Sequence, residues 1–157
     1  MAFSCTPACE SDAPAMAALM HAVVKRFLLP GMDEAAGAAF LQGHGAGDFA
    51  DAMRDGAFFF KAETEGCVIG MIGVFAATHV KYLFVDGAWH GRGIARELLR
   101  LAVAEMRARG EPRKVTLNSS DYAVVAYRKL GFVEADARQQ RDGVWFTPMA
   151  LELAPLR

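Results

Sequence analysis

The chain has 157 residues, of which 54% are hydrophobic, and its 17 basic and 18 acidic side chains give a formal net charge of -1. This composition predicts a single folded domain over residues 1–157 and argues against nucleic-acid binding, which needs clustered positive charge. No apolar run reaches the roughly 18 residues of a membrane span, and the first residues lack the basic and long apolar regions of a signal peptide, so we expect none. We therefore expect a cytoplasmic protein with no membrane partner.

The first third of the chain predicts a strand, a helix and a loose segment. Residues 3–8 have the character of an edge strand. A helix follows from an N-cap at Ser11-Asp12, buries one apolar face and stops at Pro30-Gly31. Glycines interrupt residues 31–56, so we expect a mobile segment there with one short helix at about 46–54.

Three strands are predicted next. Residues 57–63 and 67–77 read as an antiparallel hairpin around the turn Thr64-Glu65-Gly66. The last of these three, the fourth strand of the chain, covers residues 79–85. The apolar run of this strand leads directly into a glycine-rich loop.

The last part of the chain alternates helices and strands. A helix over 94–109 ends at Gly110, a β-rich run covers 114–117, and Ser119 or Ser120 caps a helix that runs to Lys129. Strands over 132–139 and 144–153 then form a hairpin around Arg141-Asp142-Gly143. The order indicates an α/β or α+β domain with a largely antiparallel sheet.

The loop before the second long helix has the features of an anion site. It reads Trp-His-Gly-Arg-Gly-Ile-Ala-Arg over residues 89–96. A helix start exposes unpaired N–H groups, and glycines let a phosphate approach that backbone. The alternative is that Gly91 and Gly93 only turn the chain. A P-loop is excluded because no Gly-Lys-Ser or Gly-Lys-Thr follows, and a dinucleotide fingerprint fails because Arg96 stands at the third glycine position.

At this loop the chain resembles the GNAT superfamily of N-acetyltransferases, whose pattern is Gln/Arg-x-x-Gly-x-Gly/Ala. Residues 90–95 fit it, with His90 where Gln or Arg is usual. Residues 126–132, Ala-Tyr-Arg-Lys-Leu-Gly-Phe, are similar to a second family signature, and 144–149 resembles the last strand of one bacterial branch. The resemblance covers nearly the whole chain in order.

The resemblance implies a GNAT-like fold that binds acetyl-coenzyme A. The expected fold is a twisted, mostly antiparallel sheet of six to seven strands flanked by about four helices, splayed between the fourth strand (80–85) and the fifth (114–118). The pantetheine arm would pair with the backbone of Phe84 and Val85, and Asn118 would bind that arm or a water, unless it only caps a helix. The residues expected to hold the pyrophosphate are His90, Gly91, Arg92, Gly93, Ile94, Ala95 and Arg96.

Two residues are candidates for proton transfer. The position of Tyr127 resembles that of the family tyrosine that points at the cofactor sulfur, and its phenol can protonate a departing thiolate; a core tyrosine is the alternative. His79 could be the general base, although a structural hydrogen bond at a strand end is an equal alternative, and attack by an already neutral amine needs no base. His21 and His44 lack partners at metal-ligand spacing, so no metal is expected, and Gly43-His44-Gly45 reads as a flexible turn.

These features predict an acetyl-CoA-dependent N-acetyltransferase that acts on a primary amine of a small molecule or peptide by direct attack in a ternary complex. The alternative is a non-catalytic acyl-CoA sensor. We expect the acceptor pocket to come from residues 27–56 and 138–146, including the aromatic residues Phe27, Phe40, Phe49 and Trp145. A homodimer through the terminal strands is a further expectation.

Overall fold

A computed structural model describes residues 2–155. Its strands are β1 (Ser4–Pro7), β2 (Phe58–Thr64), β3 (Cys67–Phe75), β4 (His79–Val85), β5 (Lys114–Ser119), β6 (Val133–Glu134), β7 (Gln139–Arg141) and β8 (Val144–Glu152). Its α-helices are α1 (Ala13–Val23), α2 (Glu34–Gly43), α3 (Ala46–Arg54), α4 (Ile94–Arg109) and α5 (Val124–Lys129).

One mixed sheet organises the described residues. Its strand order is β1-β2-β3-β4-β5-β8-β6, with β7 paired to β8. Every pairing is antiparallel except β4 with β5, which is parallel. The predicted mixed and mostly antiparallel fold is confirmed, with eight strands and five α-helices in this part of the chain where six to seven and about four were expected.

The sheet opens between β4 and β5, as predicted. These strands pair only at His79 with Thr116 and at Val80 with Leu117. The register of β3 on β4 shifts at the same level, since Val74 faces Val80 and Gly73 faces Tyr82. This leaves Lys81 as the extra residue of a β-bulge, which bends β4 away from β5. The edge of residues 81–85 that faces β5 therefore has no strand partner.

Two apolar cores lie on opposite faces of the sheet. The α4 face holds the larger core, and the glycines of β3 let the layers approach: a Cβ at Gly70 would lie 2.8 Å from Ile94 Cγ2. On the α1 face, a Cβ at Gly73 would lie 2.5 Å from the Phe59 ring. These two positions need glycine because a neighbouring side chain occupies the space of a Cβ.

The segment 31–56 differs from expectation, because it forms two helices rather than one. The short helix predicted at 46–54 is confirmed as α3, but residues 34–43 form α2 as well. Asp33 caps α2 by accepting a hydrogen bond from the Ala36 N–H at 2.9 Å. Gly37 weakens the helical pattern, and in the fold it lies against Leu29, whose Cδ2 would be 2.6 Å from a Cβ at this position.

The predicted strand over 132–139 is interrupted. It splits into β6, which pairs with β8 at Ala150, and β7, which pairs with β8 near Phe146. Phe132, just before β6, is 1% exposed in the α4-face core, which anchors this end of the strand. The predicted hairpin turn is confirmed, with Asp142 and Gly143 at φ values of 53° and 79°.

Candidate active site

The gap between β4 and β5 opens into a cleft of about 1250 Å³. It runs from the loop before α4, between the separated strands, to α2 and the β7–β8 hairpin. Most of the predicted site residues line it: His79, Phe84, Val85, His90, Gly91, Gly93, Ile94, Ala95, Arg96, Asn118 and Tyr127. Arg92 is the one predicted residue outside this lining.

The loop before α4 keeps its backbone uncovered. Gly91 and Gly93 have φ values of 76° and 81°, and no atom lies within 4 Å of a Cβ built on either. Both positions therefore suit glycine and leave open space beside the first turn of α4, whose N–H groups carry partial positive charge. This cradle, which a Cβ would fill, fits a pyrophosphate group.

The side chains around this loop have different roles. The Arg92 guanidinium lies over the Trp89 ring at 4.5 Å, whereas Arg96 lines the cleft and donates to the Lys129 carbonyl at 3.2 Å. Ile94 is 2% exposed, so it offers its backbone to the cleft while its side chain belongs to the core. His90 Nε2 donates to the Val85 carbonyl at 2.9 Å and so ties the loop to the end of β4.

The separated part of β4 presents its backbone to the cleft. Phe84 packs against the core on the α1 face, and Val85 packs against the core on the α4 face. Because their side chains point to opposite faces, the strand edge between them carries N–H and C=O groups without a partner strand. An extended amide-containing chain such as pantetheine can pair with such an edge.

Tyr127 lies on α5 at the side of the cleft. Its ring meets Phe132 edge-on at 5.7 Å between centroids, and burial raises the pKa of its phenol to about 12. Within residues 2–155 its hydroxyl has no hydrogen-bond partner, and it faces a cleft that it helps to line. Tyr127 is therefore packed against the core and also contributes to the wall of the cleft.

His79 lies at the fork of the two strands. Its Nδ1 is 2.9 Å from Thr116 Oγ1 on β5, across the parallel pair at which the strands part. Burial, followed by the nearby Lys81 cation, holds the pKa of His79 below its ordinary value of 6.5. The imidazole is thus neutral near pH 7 and also makes the structural bond that sequence reasoning offered as the alternative.

Asn118 stays in strand β5 opposite Pro148 and does not cap a helix. The residue at the N-cap of the turn before α5 is Ser120. The exposed amide of Asn118 lines the cleft instead, near the start of α5.

The far end of the cleft is built by α2 and the β7–β8 hairpin. Phe40, Trp145 and Phe146 line it, as the predicted acceptor segments suggested. The hairpin turn docks on the start of α2, since a Cβ at Gly143 would lie 2.8 Å from Ala36 Cβ. Phe49 does not take part: it is fully buried in the α1-face core, so its expected place in the pocket is wrong.

The sequence predicts a flexible turn at Gly43-His44-Gly45 and does not indicate a functional role for His44. The structure places it in the cleft lining, with Nδ1 2.7 Å from the Tyr82 hydroxyl. The Tyr82 phenol is also a missed residue, 3% exposed beneath the α1 face. No spacing rule joins positions 44 and 82, so only the folded chain reveals this pair.

Residues 2–155 contain neither a metal-binding cluster nor a membrane-spanning helix. No cluster of three or more His, Cys, Asp or Glu side chains has the arrangement of a metal site there. None of the helices in the same range has the length and apolar character that crossing a membrane requires.

Solved structures share this fold along almost the whole chain. A GCN5-related N-acetyltransferase from Rhodopseudomonas palustris is 22% identical with a TM-score of 0.79, and the match covers 98% of this chain and 99% of that one. PaiA N-acetyltransferase from Thermoplasma acidophilum, solved with coenzyme A, is 16% identical with a TM-score of 0.79 and coverage of 98% and 100%. Ribosomal-protein-alanine N-acetyltransferase from Brucella melitensis is 23% identical with a TM-score of 0.65 and coverage of 96% and 99%.

Sequence comparison gives the family. No curated protein matches this chain. The family model described as an acetyltransferase (GNAT) domain matches residues 28–153, a range that begins before α2 and ends after β8. Since the match takes in most of the chain, including the glycine loop and the open strand pair, this protein belongs to the GNAT acetyltransferases, which use acetyl-CoA as the acyl donor and act on amines.

Proposed function

We propose that this protein transfers an acetyl group from acetyl-CoA to a primary amine of a small molecule or peptide, by direct attack in a ternary complex. The observation that carries the proposal is the single cleft that joins the glycine loop, the open edge of β4, Tyr127 and an aromatic far end. Donor and acceptor can therefore be bound at the same time. The homodimer and the cytoplasmic location stay predictions.

The residues that would hold acetyl-CoA follow from the site. The N–H groups of the loop at Gly91–Ala95 and the charge of Arg96 suit the pyrophosphate, and the backbone edge at Phe84 and Val85 suits the pantetheine arm. Asn118 suits a polar group of that arm. The bound donor supplies an activated acetyl carbonyl and a thiolate leaving group.

Two residues are proposed to move protons. The nitrogen must lose protons as it changes from an ammonium to an amide, and His79 is suited to accept one at Nε2 because its imidazole is neutral near pH 7. Tyr127 is suited to give its proton to the leaving thiolate, because burial keeps the phenol protonated. Burial in the same cleft also raises the pKa of the coenzyme A thiol. The difference between the pKa of this thiol and that of the Tyr127 phenol is therefore smaller than their separate values in water would suggest.

The far end of the cleft supports an acceptor with an apolar or aromatic body. Phe40, Trp145 and Phe146 line it, and its formal charges are the cations Lys81 and Arg141 and one carboxylate, Asp142. A polyamine would meet more positive than negative charge there. Aryl-alkylamines and amines that carry a carboxylate suit this wall better.

The proposal is tested by following thiol release from acetyl-CoA with a panel of amines, with mass spectrometry of the products. The panel contains 2-phenylethylamine, its isomer 4-ethylaniline, phenylalanine methyl ester, spermidine and a short peptide with a free amino terminus. Acetylation of at least one amine supports the enzyme. Binding of acetyl-CoA by calorimetry without turnover of any amine would instead favour the non-catalytic sensor.

Replacing His79 by glutamine should remove the acidic limb of the pH profile of kcat/KM. In the native protein this limb lies below pH 6.5, because the lowered pKa keeps the imidazole free to accept a proton until the pH falls below it. The measurement uses 4-ethylaniline, whose amine carries no proton near neutral pH, and kcat/KM is expressed per concentration of neutral amine so that protonation of the substrate at low pH does not enter the profile. Glutamine can still bond Thr116, so a limb that survives the substitution would assign His79 the structural role alone.

Replacing Gly143 by alanine should weaken acceptor binding. The added Cβ would lie 2.8 Å from Ala36 Cβ and 2.9 Å from Asp33 Oδ2, so the hairpin turn must move away from α2. We expect a severalfold higher KM for the amine and an unchanged KM for acetyl-CoA. Gly66→Ala is the matched control, since Gly66 has a similar φ of 77° but open space around it. Equal effects of the two substitutions would mean that backbone strain, not the docking of the turn, is responsible.

A further inference from the structure

His44 is held in a fixed position at the end of α2. Its Nδ1 lies 2.7 Å from the Tyr82 hydroxyl, and its ring packs on Phe40 with centroids 4.4 Å apart. Its backbone carbonyl accepts a hydrogen bond from His21 Nε2 at 2.7 Å. Contacts from α1, α2 and β4 thus fix a ring that the glycines on either side would leave free.

The second ring nitrogen of His44 is available to a ligand. Within residues 2–155, Nε2 has no hydrogen-bond partner, and no buried side-chain nitrogen or oxygen in this range lacks one. Nε2 is therefore not fully buried, and His44 as a whole is half-buried and lines the cleft. When Nδ1–H donates to the Tyr82 oxygen, the lone pair of Nε2 can accept a proton from the cleft.

The groups around His44 keep its imidazole neutral near pH 7. The neighbouring ionisable residues are Tyr82 and Lys81 on β4, His21 on α1 and Asp48 on α3. Burial first, and then the Lys81 cation, lower the pKa of His44 below 6.5, while Asp48 opposes them. Burial strongly raises the pKa of Tyr82, so its phenol stays neutral and the pair carries no charge.

The reaction itself needs two proton acceptors. An alkylammonium that becomes an amide loses two protons from nitrogen as the N–C bond forms and the C–S bond breaks. One equivalent protonates the departing thiolate, and the other is released to solvent. His79 lies at the strand fork, whereas His44 lies on the α2 wall at the aromatic end of the cleft, where an amine would be bound.

We propose that His44 accepts, at Nε2, the first proton of the acceptor's ammonium, and that Tyr82 positions its imidazole for this step. The inference rests on the proposed acetyltransferase function and assigns its substrates to amines that arrive protonated. His44 then gives this proton to solvent. His79 takes the second proton during attack, Tyr127 protonates the thiolate, and the proton on His79 restores the Tyr127 phenol, so the reaction releases one proton overall.

The test compares His44→Gln with the native protein over a range of pH, at saturating acetyl-CoA. With 2-phenylethylamine, or with the fastest alkylamine of the panel, kcat/KM at pH 7 should fall about a hundredfold in the variant. The defect should shrink towards none at a pH above the amine's own pKa, where the amine is already neutral. With 4-ethylaniline, which is neutral at pH 7, the defect of His44→Gln should be at least about tenfold smaller than with the alkylamine, whereas His79→Gln should lose activity with both amines.

Tyr82→Phe provides the positioning control. It keeps the buried ring but removes the oxygen that holds Nδ1, so we expect a smaller defect, about tenfold, with the same dependence on pH. A defect of His44→Gln that is constant with pH, that is equal for both amines, or that is absent would overturn the proposal. If the native protein binds acetyl-CoA and acetylates no amine at all, the proposed function itself fails, and the role of His44 falls with it.

Discussion

Replacing Gly93 by valine should abolish detectable binding of acetyl-CoA. Gly93 has a φ of 81° directly before α4, and the space around its Cα is open on the cleft side. A valine side chain would fill the volume in which the pyrophosphate must approach the N–H groups of the first turn. We expect an affinity loss of more than about a hundredfold, measured by titration calorimetry with acetyl-CoA and with coenzyme A.

The control for this change is Gly66→Val. Gly66 lies in the β2–β3 turn with a φ of 77° and equally open surroundings, but outside the cleft lining. Both variants carry a β-branched residue in left-handed backbone, a strain of about 1–3 kcal/mol. Similar melting temperatures with binding lost only in Gly93→Val would assign the effect to the cradle. Full affinity in Gly93→Val would remove the loop from the donor site.

Replacing Tyr127 by phenylalanine should lower kcat about a thousandfold and leave the KM for acetyl-CoA nearly unchanged. The ring would keep its edge-on contact with Phe132, while the proton for the leaving thiolate would be lost. The variant should be rescued in part by a donor thioester with a more acidic thiol, because such a thiolate leaves without protonation. Steady-state kinetics with both donors measure this difference.

Tyr122→Phe is the matched control for Tyr127. Tyr122 also lines the cleft, but it is 52% exposed and its ring stacks on Phe27 at 5.0 Å between centroids. Its hydroxyl is not assigned a proton transfer, so kcat should stay within about twofold of the native value. A raised KM for acetyl-CoA with an unchanged kcat in Tyr127→Phe would make Tyr127 a binding residue instead.

The elements that sequence reasoning predicted well depend on local signals. The β2–β3 hairpin has its turn residues in place, and α4 is marked by glycines at both ends and by one apolar face. The helix α2 was missed because Gly37 lowers the local helical preference. In the folded chain Gly37 packs against Leu29, which occupies the space of a Cβ. A pattern of neighbouring residues does not reveal such a contact.

The interruption of the predicted strand after Phe132 also involves contacts between residues that are distant in the sequence. The residues of 132–139 favour extended structure, and they are extended where they pair with β8. Phe132 is buried just before β6, and the hairpin turn after β7 docks on α2, so tertiary contacts hold the chain on both sides of the break. Both constraints come from other parts of the chain.

The sequence by itself determined the family, and it predicted the residues that we propose for the donor end of the cleft. A loop with left-handed glycines before a helix makes an anion cradle from its own backbone, so its chemistry can be read from adjacent residues. Only the tertiary structure shows which residues lie at the proposed acceptor end. There His44 is hydrogen-bonded to Tyr82, Phe49 is buried in the core, and Gly143 packs against α2. The partners in those contacts are far apart in the chain, and the packing of whole elements, which no local spacing encodes, brings them together.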